Sequence, residues 1–286
     1  TYAGLRPGIA VPPATTAGGV LPLDATFGLH PACGFLGELW QLQQLTLLHA
    51  VATPYRERSH FDGQDVLESG LIRPHATQTG WLNRALGKIG GPARREAGVA
   101  LGANIPLVMR GPAAVASWSP SRLAMLDDDT LQRLGDLYAT DPLLSHRLAD
   151  ALAADAVATA ARDETKSEEA GMASLSAAAR QAVAGQLNDT VKAAAGFLRR
   201  EDGARVAVFD TTGWDTHANE GGAQGGLAGR LRALDAALRT LREGLGPTWD
   251  HTVVMVATEF GRTVAENGTR GTDHGTGAAA LLLGGA

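Results

Sequence analysis

Cysteine is all but missing from this 286-residue chain, which carries only Cys33. One thiol can form neither an internal disulfide nor a cysteine-based zinc cluster, and its apolar surroundings predict a buried structural role. Aromatic residues are scarce too, at 5% of the chain. Basic charge is not in excess: 25 Lys and Arg stand against 30 Asp and Glu, a formal net charge of -5. That balance offers no general attraction to nucleic acid or anionic membrane, so no nucleic acid partner is expected. No apolar run reaches the roughly 18 residues of a membrane-spanning helix, so no membrane span is expected. The opening TYAGLRPGIAVPP has no basic region followed by an apolar core, the pattern of a signal peptide.

Present instead is ordinary globular usage, 44% apolar and 19% charged, enriched in Gly and Ala. The length is ample for a sizeable core, and a single α/β domain over 1–286 is expected. LTLLHAVA at 45–52 reads as a buried parallel strand running into a loop at Thr53-Pro54. RVAVFDTTG and HTVVMVATEFG repeat that shape, each ending in an acidic residue and a glycine, and AAALLLGG at 278–285 is a fourth such run. Between the second and third, Leu227, Leu231, Leu234, Leu238, Leu241 and Leu245 form the stripe of an amphipathic helix. This β-helix-β unit predicts parallel strands joined by a right-handed crossover, with both carboxyl ends on one sheet edge.

From Ser121 to about Arg200 the chain is rich in Ala and Leu and poor in turn residues, which predicts a helical insert or cap over 121–200. Asp127, Asp128 and Asp129 read as the acidic start of a helix rather than as a metal-binding triplet. GGPARREAG at 90–98 and GGAQGG at 221–226 are Gly-rich loops without the spacing of a phosphate cradle.

Polar chemistry gathers at the strand ends, where open α/β sheets bind ligands. The second run ends at Asp210 and is followed by Trp214, Asp215 and His217; the third supplies Glu259 and Arg262; Asp273 and His274 precede the last. Carboxylates and imidazoles of this kind suit zinc, manganese or a similar divalent ion. Arg262 either pairs structurally with Glu259 or binds an oxyanion in a bidentate manner. Trp214 and Trp81 read as cleft walls, with Trp214 the candidate for substrate contact. A second cluster runs from Tyr55 through Arg58, Ser59 and His60 to Asp62. Ser59 is either the N-cap of the helix that follows or a nucleophile, with Arg58 favouring a bound anion.

HPACGFL, LHAVATPYRERSHFDGQDVLESG, TGWLNRALG, FDTTGWDTHANE, ATEFGRTVAENGTRGTDHG and LLLGG, in this order, resemble the bacterial family catalogued as domain of unknown function 1501. That family is placed in the alkaline phosphatase and sulfatase superfamily. The resemblance implies a mostly parallel central sheet with helices on both faces, and one or two divalent ions facing a Ser or Thr nucleophile. By resemblance, Asp215, His217 and His274 are metal ligands, Glu259 stands at the Asp of an Asp-His pair, and Ser59 falls near the nucleophile position. Phe260 stands where a second His ligand would be, so one ion is expected unless Asp273 or His60 substitutes. The resemblance also implies a Gly-rich first strand, which in relatives reads much like LRGGNDGLN and brings an acidic residue to the site; the sequence begins downstream of it, and without that strand the site is expected to lack one ligand.

The candidate set is therefore Ser59, His60 and Arg262 for catalysis, Arg58, Arg262 and Trp214 for substrate, and Asp215, His217, Glu259, Asp273 and His274 for metal. Two functions fit it. One is metal-dependent hydrolysis of a small anionic phosphate or sulfate ester; the other is a secreted binding or scaffold protein that keeps the fold. The resemblance also implies a periplasmic or secreted location, while the sequence says nothing of oligomeric state.

Overall fold

The computed structural model describes residues 1–89, 97–119, 133–135, 137–163 and 175–285. The triplet Asp127, Asp128 and Asp129 and most of the loop at 90–98 lie outside the described residues. In chain order the elements are α1 (Tyr2–Leu5), β1 (Leu21–Pro22), β2 (Gly28–Leu29), α2 (Gly34–Gln41), β3 (Leu45–Val51), α3 (His60–Ser69), α4 (Trp81–Leu86), β4 (Gly98–Leu101), β5 (Val115–Trp118), α5 (Pro142–Asp163), α6 (Leu175–Leu198), β6 (Val206–Val208), α7 (Gly226–Leu245), β7 (Val253–Val256) and β8 (Ala278–Gly284). They form two compact units. One comprises Thr1–Gln78, Thr211–Arg242 and Gly246–Ala286; the other comprises Thr79–Asp210 and Glu243–Leu245.

The second unit holds a parallel sheet in the order β5-β4-β6. All four residues of β4 are buried, as a central strand covered on both faces requires. Helices α5 and α6, from the block read as helical, pack on each other; α5 lies against β5, and α6 against β4 and β6. Leu86, Val108 and Met109 form a core with Leu82, Ile105 and Val115 around them.

The first unit is built on an antiparallel sheet, β3-β8-β7. Leu45, Leu283 and Val254 align across it, with Leu45 and Leu283 buried. The opposite face leaves Leu48 41%, Met255 53% and Val253 76% exposed. On the leucine-striped α7, Asp235 accepts from the otherwise unpaired Phe35 and Leu36 amides at the start of α2, at 2.9 Å each. Cys33 is buried beside that junction. Burial, then the charge of Asp235, pushes its thiol up to about 12, as befits an inert packing group.

The structure is thus α/β with a three-stranded parallel sheet, but two expectations change. β6 and β7 are not parallel neighbours: β6 pairs with β4, while β7 pairs antiparallel with β8. β3 is likewise antiparallel, and four of its seven residues are exposed. The cause lies in the segment after β7, which doubles back on itself. Thr263 N donates to Asp273 O at 2.8 Å, Gly275 N to Gly261 O at 2.7 Å and Gly261 N to Thr276 O at 3.3 Å. A chain that returns along its own path enters β8 antiparallel to β7.

Candidate metal centre

This hairpin stem sets Arg262 directly opposite His274, an isolated antiparallel bridge. Its glycines permit the approach: a Cβ on Gly275 would fall 2.4 Å from the Arg262 carbonyl, and one on Gly271 2.3 Å from the His217 backbone. The spacing of GTDHG is therefore a packing requirement as well as a chemical one. Asp215 and His217 arrive on the loop after Thr211. His60 arrives on the first turn of α3, which ends at Gly70 in the left-handed conformation, φ 69°. Arg58, just before, has φ 61°, a conformation that costs free energy in a non-glycine residue. It turns the Arg58 carbonyl toward His274 Nδ1, 3.0 Å away.

Three imidazoles share one arrangement. Each Nδ1 meets an oxygen acceptor: His60 with Glu259 Oε1 at 2.7 Å, His217 with Asp273 Oδ1 at 3.0 Å, and His274 with the Arg58 carbonyl at 3.0 Å. A carbonyl or ionised carboxylate only accepts, so each Nδ1 carries a proton and each neutral ring presents its lone pair at Nε2. Those Nε2 atoms converge on Asp215. His217 Nε2 lies 2.9 Å and His274 Nε2 3.0 Å from Asp215 Oδ1, while His60 Nε2 lies 3.4 Å from Oδ2. His217 and His274 Nε2 are themselves 3.0 Å apart. Lone pairs so placed repel unless a proton or cation lies among them.

Donor atoms of His60, Asp215 and His274 all lie within 4.8 Å of one another, and this group could hold a metal ion. His60 Nε2 is buried and makes no hydrogen bond among the described residues, as an unused ligand atom would. Four-coordinate zinc, with ligands at about 2.0–2.1 Å, spaces them roughly 3.3 Å apart, close to the separations around Asp215. Phe260 packs against two of the imidazoles, its ring 4.9 Å from that of His60 and 5.0 Å from that of His274.

The protonation states follow the contacts. Burial alone would raise the Asp215 carboxyl, but its pairing with the Arg262 guanidinium outweighs it and holds the group at about 2. Burial opposes ionisation of Glu259 as well, yet its bond to His60 lowers it overall. The bond to Glu259 in turn raises His60 above its ordinary value. Asp273 is lowered by Asn267 first and His217 next.

Of the residues singled out from sequence, Asp215, His217 and His274 converge directly, and His60 joins them. Glu259 and Asp273 stand behind imidazoles instead, gripping Nδ1 atoms. Arg262 pairs with Asp215 Oδ1 rather than with Glu259, and its Nη2 donates to the Thr272 carbonyl. Ser59 occupies the N-cap position of α3 without a side-chain cap bond. Arg58 contributes its carbonyl. Trp214 donates from Nε1 to Thr211 Oγ1 at 2.9 Å within its own loop, and Trp81 opens α4 in the other unit. Sequence reasoning assigned no role to Asn267, whose Nδ2 donates to Asp273 Oδ1 and the His217 carbonyl, both at 2.9 Å. Glu220 and Thr272 were quoted within motifs but given none either.

A model of the family described as Protein of unknown function (DUF1501) matches residues 40–286. The chain belongs to this family. No curated protein and no solved structure matches it. The DUF1501 match spans every imidazole and carboxylate of the centre, from His60 to His274, and leaves residues 1–39 outside.

Proposed function

We propose that this DUF1501 chain is a divalent-metal-dependent hydrolase of small phosphate or sulfate esters, alkaline-phosphatase-like in fold and acting in the periplasm or outside the cell. One observation carries the reading: three imidazoles are fixed through Nδ1 while their Nε2 atoms meet at one carboxylate. Outer-shell acceptors on the far nitrogen are the usual way proteins orient histidine ligands. His60, Asp215 and His274, with His217 beside them, would hold a single zinc or manganese ion. Bound there, the ion would supply Lewis-acid charge to the ester oxygens. Arg262 offers a fixed guanidinium at the same point for an anionic ester. Ser59, with a hydroxyl not engaged in capping and next in sequence to His60, is the candidate nucleophile.

The test is metal analysis of purified protein together with aryl phosphate, phosphodiester and sulfate ester substrates. Stoichiometric metal is expected, with hydrolysis abolished in Ser59→Ala and His217→Ala. Metal-free, folded protein inert on every ester would refute the reading. A second reading, a catalytically inactive binding or scaffold protein, is favoured by one contact: Arg262 already pairs with the oxygen of Asp215 that a metal would use. Stoichiometric metal without turnover would select it.

A further inference from the structure

Behind Arg262 lies a chain of polar contacts that ends in the first ten residues. Glu220 is buried, its side chain 4% exposed, where an unpaired carboxylate would be costly. Its Oε2 accepts from Thr272 Oγ1 at 2.6 Å and from Thr216 Oγ1 at 3.1 Å. Its Oε1 lies 3.5 Å from Arg6 Nη1. Thr272 Oγ1, having donated its only proton to Glu220, is left as an acceptor, and Arg262 Nε donates to it at 3.2 Å. Arg262 is thus gripped along its Nε and Nη2 side by Thr272, with Nη1 on Asp215.

Arg6 is itself well fixed. Nε donates to the Val264 carbonyl at 2.8 Å and Nη2 to the Thr263 carbonyl at 2.9 Å, immediately after Arg262 in the chain. Nearby, Gly8 N donates to Glu266 Oε2 at 2.7 Å and Glu266 N to Leu5 O at 2.9 Å, so the terminal segment is stitched to the stem at several points. Arg6 therefore pins both the backbone that carries Arg262 and the carboxylate that orients Thr272.

We infer that Arg6, Glu220 and Thr272 are positioning residues that lock the Arg262 guanidinium in one orientation for an oxyanion, so that a residue outside the family-matched segment tunes the site. The oxyanion part rests on the hydrolase reading; the locking does not. A guanidinium held on three nitrogens cannot rotate freely about its Nε–Cζ bond, whereas one that loses the Thr272 hydroxyl keeps only its two Nη contacts and turns more readily. Less of its ordering then remains to be lost when an anion binds.

The decisive measurement is ¹⁵N NMR of the Arg262 Nη1 and Nη2 groups in metal-free protein, which rotation about Nε–Cζ interchanges. Wild type and Thr272→Ser should show separate Nη1 and Nη2 signals; Thr272→Val and Arg6→Gln should show them broadened or averaged by faster rotation. An Arg262 signal unchanged in both latter variants overturns the inference. Inorganic phosphate titrated into zinc-loaded protein reads the consequence. Arg6→Gln should weaken phosphate binding about tenfold, the scale of one charge-assisted contact, with zinc affinity held within about twofold. Unchanged phosphate affinity in a variant with a freed guanidinium would show that locking has no part in anion binding. If wild type takes up no zinc, the hydrolase reading fails, and the NMR signal alone decides the locking.

Discussion

The two three-stranded sheets are made of similar apolar runs and are put to different use. In β5-β4-β6 the central strand is buried along its whole length and helices α5 and α6 pack on the sheet, so the side chains of β4 answer to packing. In β3-β8-β7 one face is buried and the other leaves Leu48, Val253 and Met255 exposed. All the candidate chemistry belongs to the unit of the antiparallel sheet. The usual rule places ligands beyond the carboxyl ends of parallel strands. Here the polar residues are assembled by an antiparallel hairpin stem, a loop and a helix start, and the parallel sheet contributes none of the converging donors.

The sharpest way to break this contrast uses the same substitution in each unit. Met109 is 1% exposed in the parallel-sheet unit and Met255 53% exposed on β7. Met109→Ala should cost about 2–5 kcal/mol, the range for emptying a packed core position. Met255→Ala should stay within about 0.5 kcal/mol, as for a surface change. Urea unfolding of both variants checks this, and a large loss at Met255 would mean that the open face of the antiparallel sheet is covered in solution.

Next in size are the metal contacts. Asp215→Asn should weaken zinc binding by more than about a hundredfold, since it removes the charge on which the imidazoles converge. Glu259→Gln should weaken it by about 10–100-fold, the usual effect of losing an outer partner of a histidine ligand. Calorimetric titration of zinc into each variant ranks them. Equal losses would place Glu259 in direct contact with the ion, and no loss in Asp215→Asn would remove the centre altogether.

The difference between the sheets also explains what could be read in advance. Asp215, His217, His274 and Arg262 stood out because polar residues clustered at the end of apolar runs are unusual unless something uses them. The leucine stripe of α7 was legible from periodicity, and helices α5 and α6 from an Ala- and Leu-rich stretch poor in turn residues. Strand direction was not, because an apolar run such as Leu281, Leu282, Leu283 specifies a buried strand without specifying its partner. The β7-β8 hairpin was hidden by its length: residues 257–277 intervene, far more than the two to five of a recognisable turn. Arg6 and Glu220 were invisible for another reason. Their role rests on contacts between segments distant in sequence, Arg6 with residues 263 and 264 and Glu220 with Thr272, which the motif around Glu220 does not announce.

The smallest expected effect, and the one that separates the two kinds of carboxylate in the centre, is on stability against pH in metal-free protein. Asp215 has its pKa depressed from 3.8 to about 2, so its contribution is present above 3.8 and is lost as pH falls through the folded value. His60 is shifted the other way, raised above its ordinary 6.5 first by its bond to Glu259. Its contribution is complete below 6.5 and is lost as pH rises through the elevated folded value. Both side chains are about two-fifths exposed, at 41% and 42%, so solvent screening keeps each contribution small. Thermal unfolding midpoints should therefore fall at both extremes. In Glu259→Gln the alkaline fall should shrink, because the amide cannot supply the charge that raises His60, while the acid fall governed by Asp215 persists. If the alkaline limb were the same in both proteins, Glu259 would not be the partner that sets the protonation of His60.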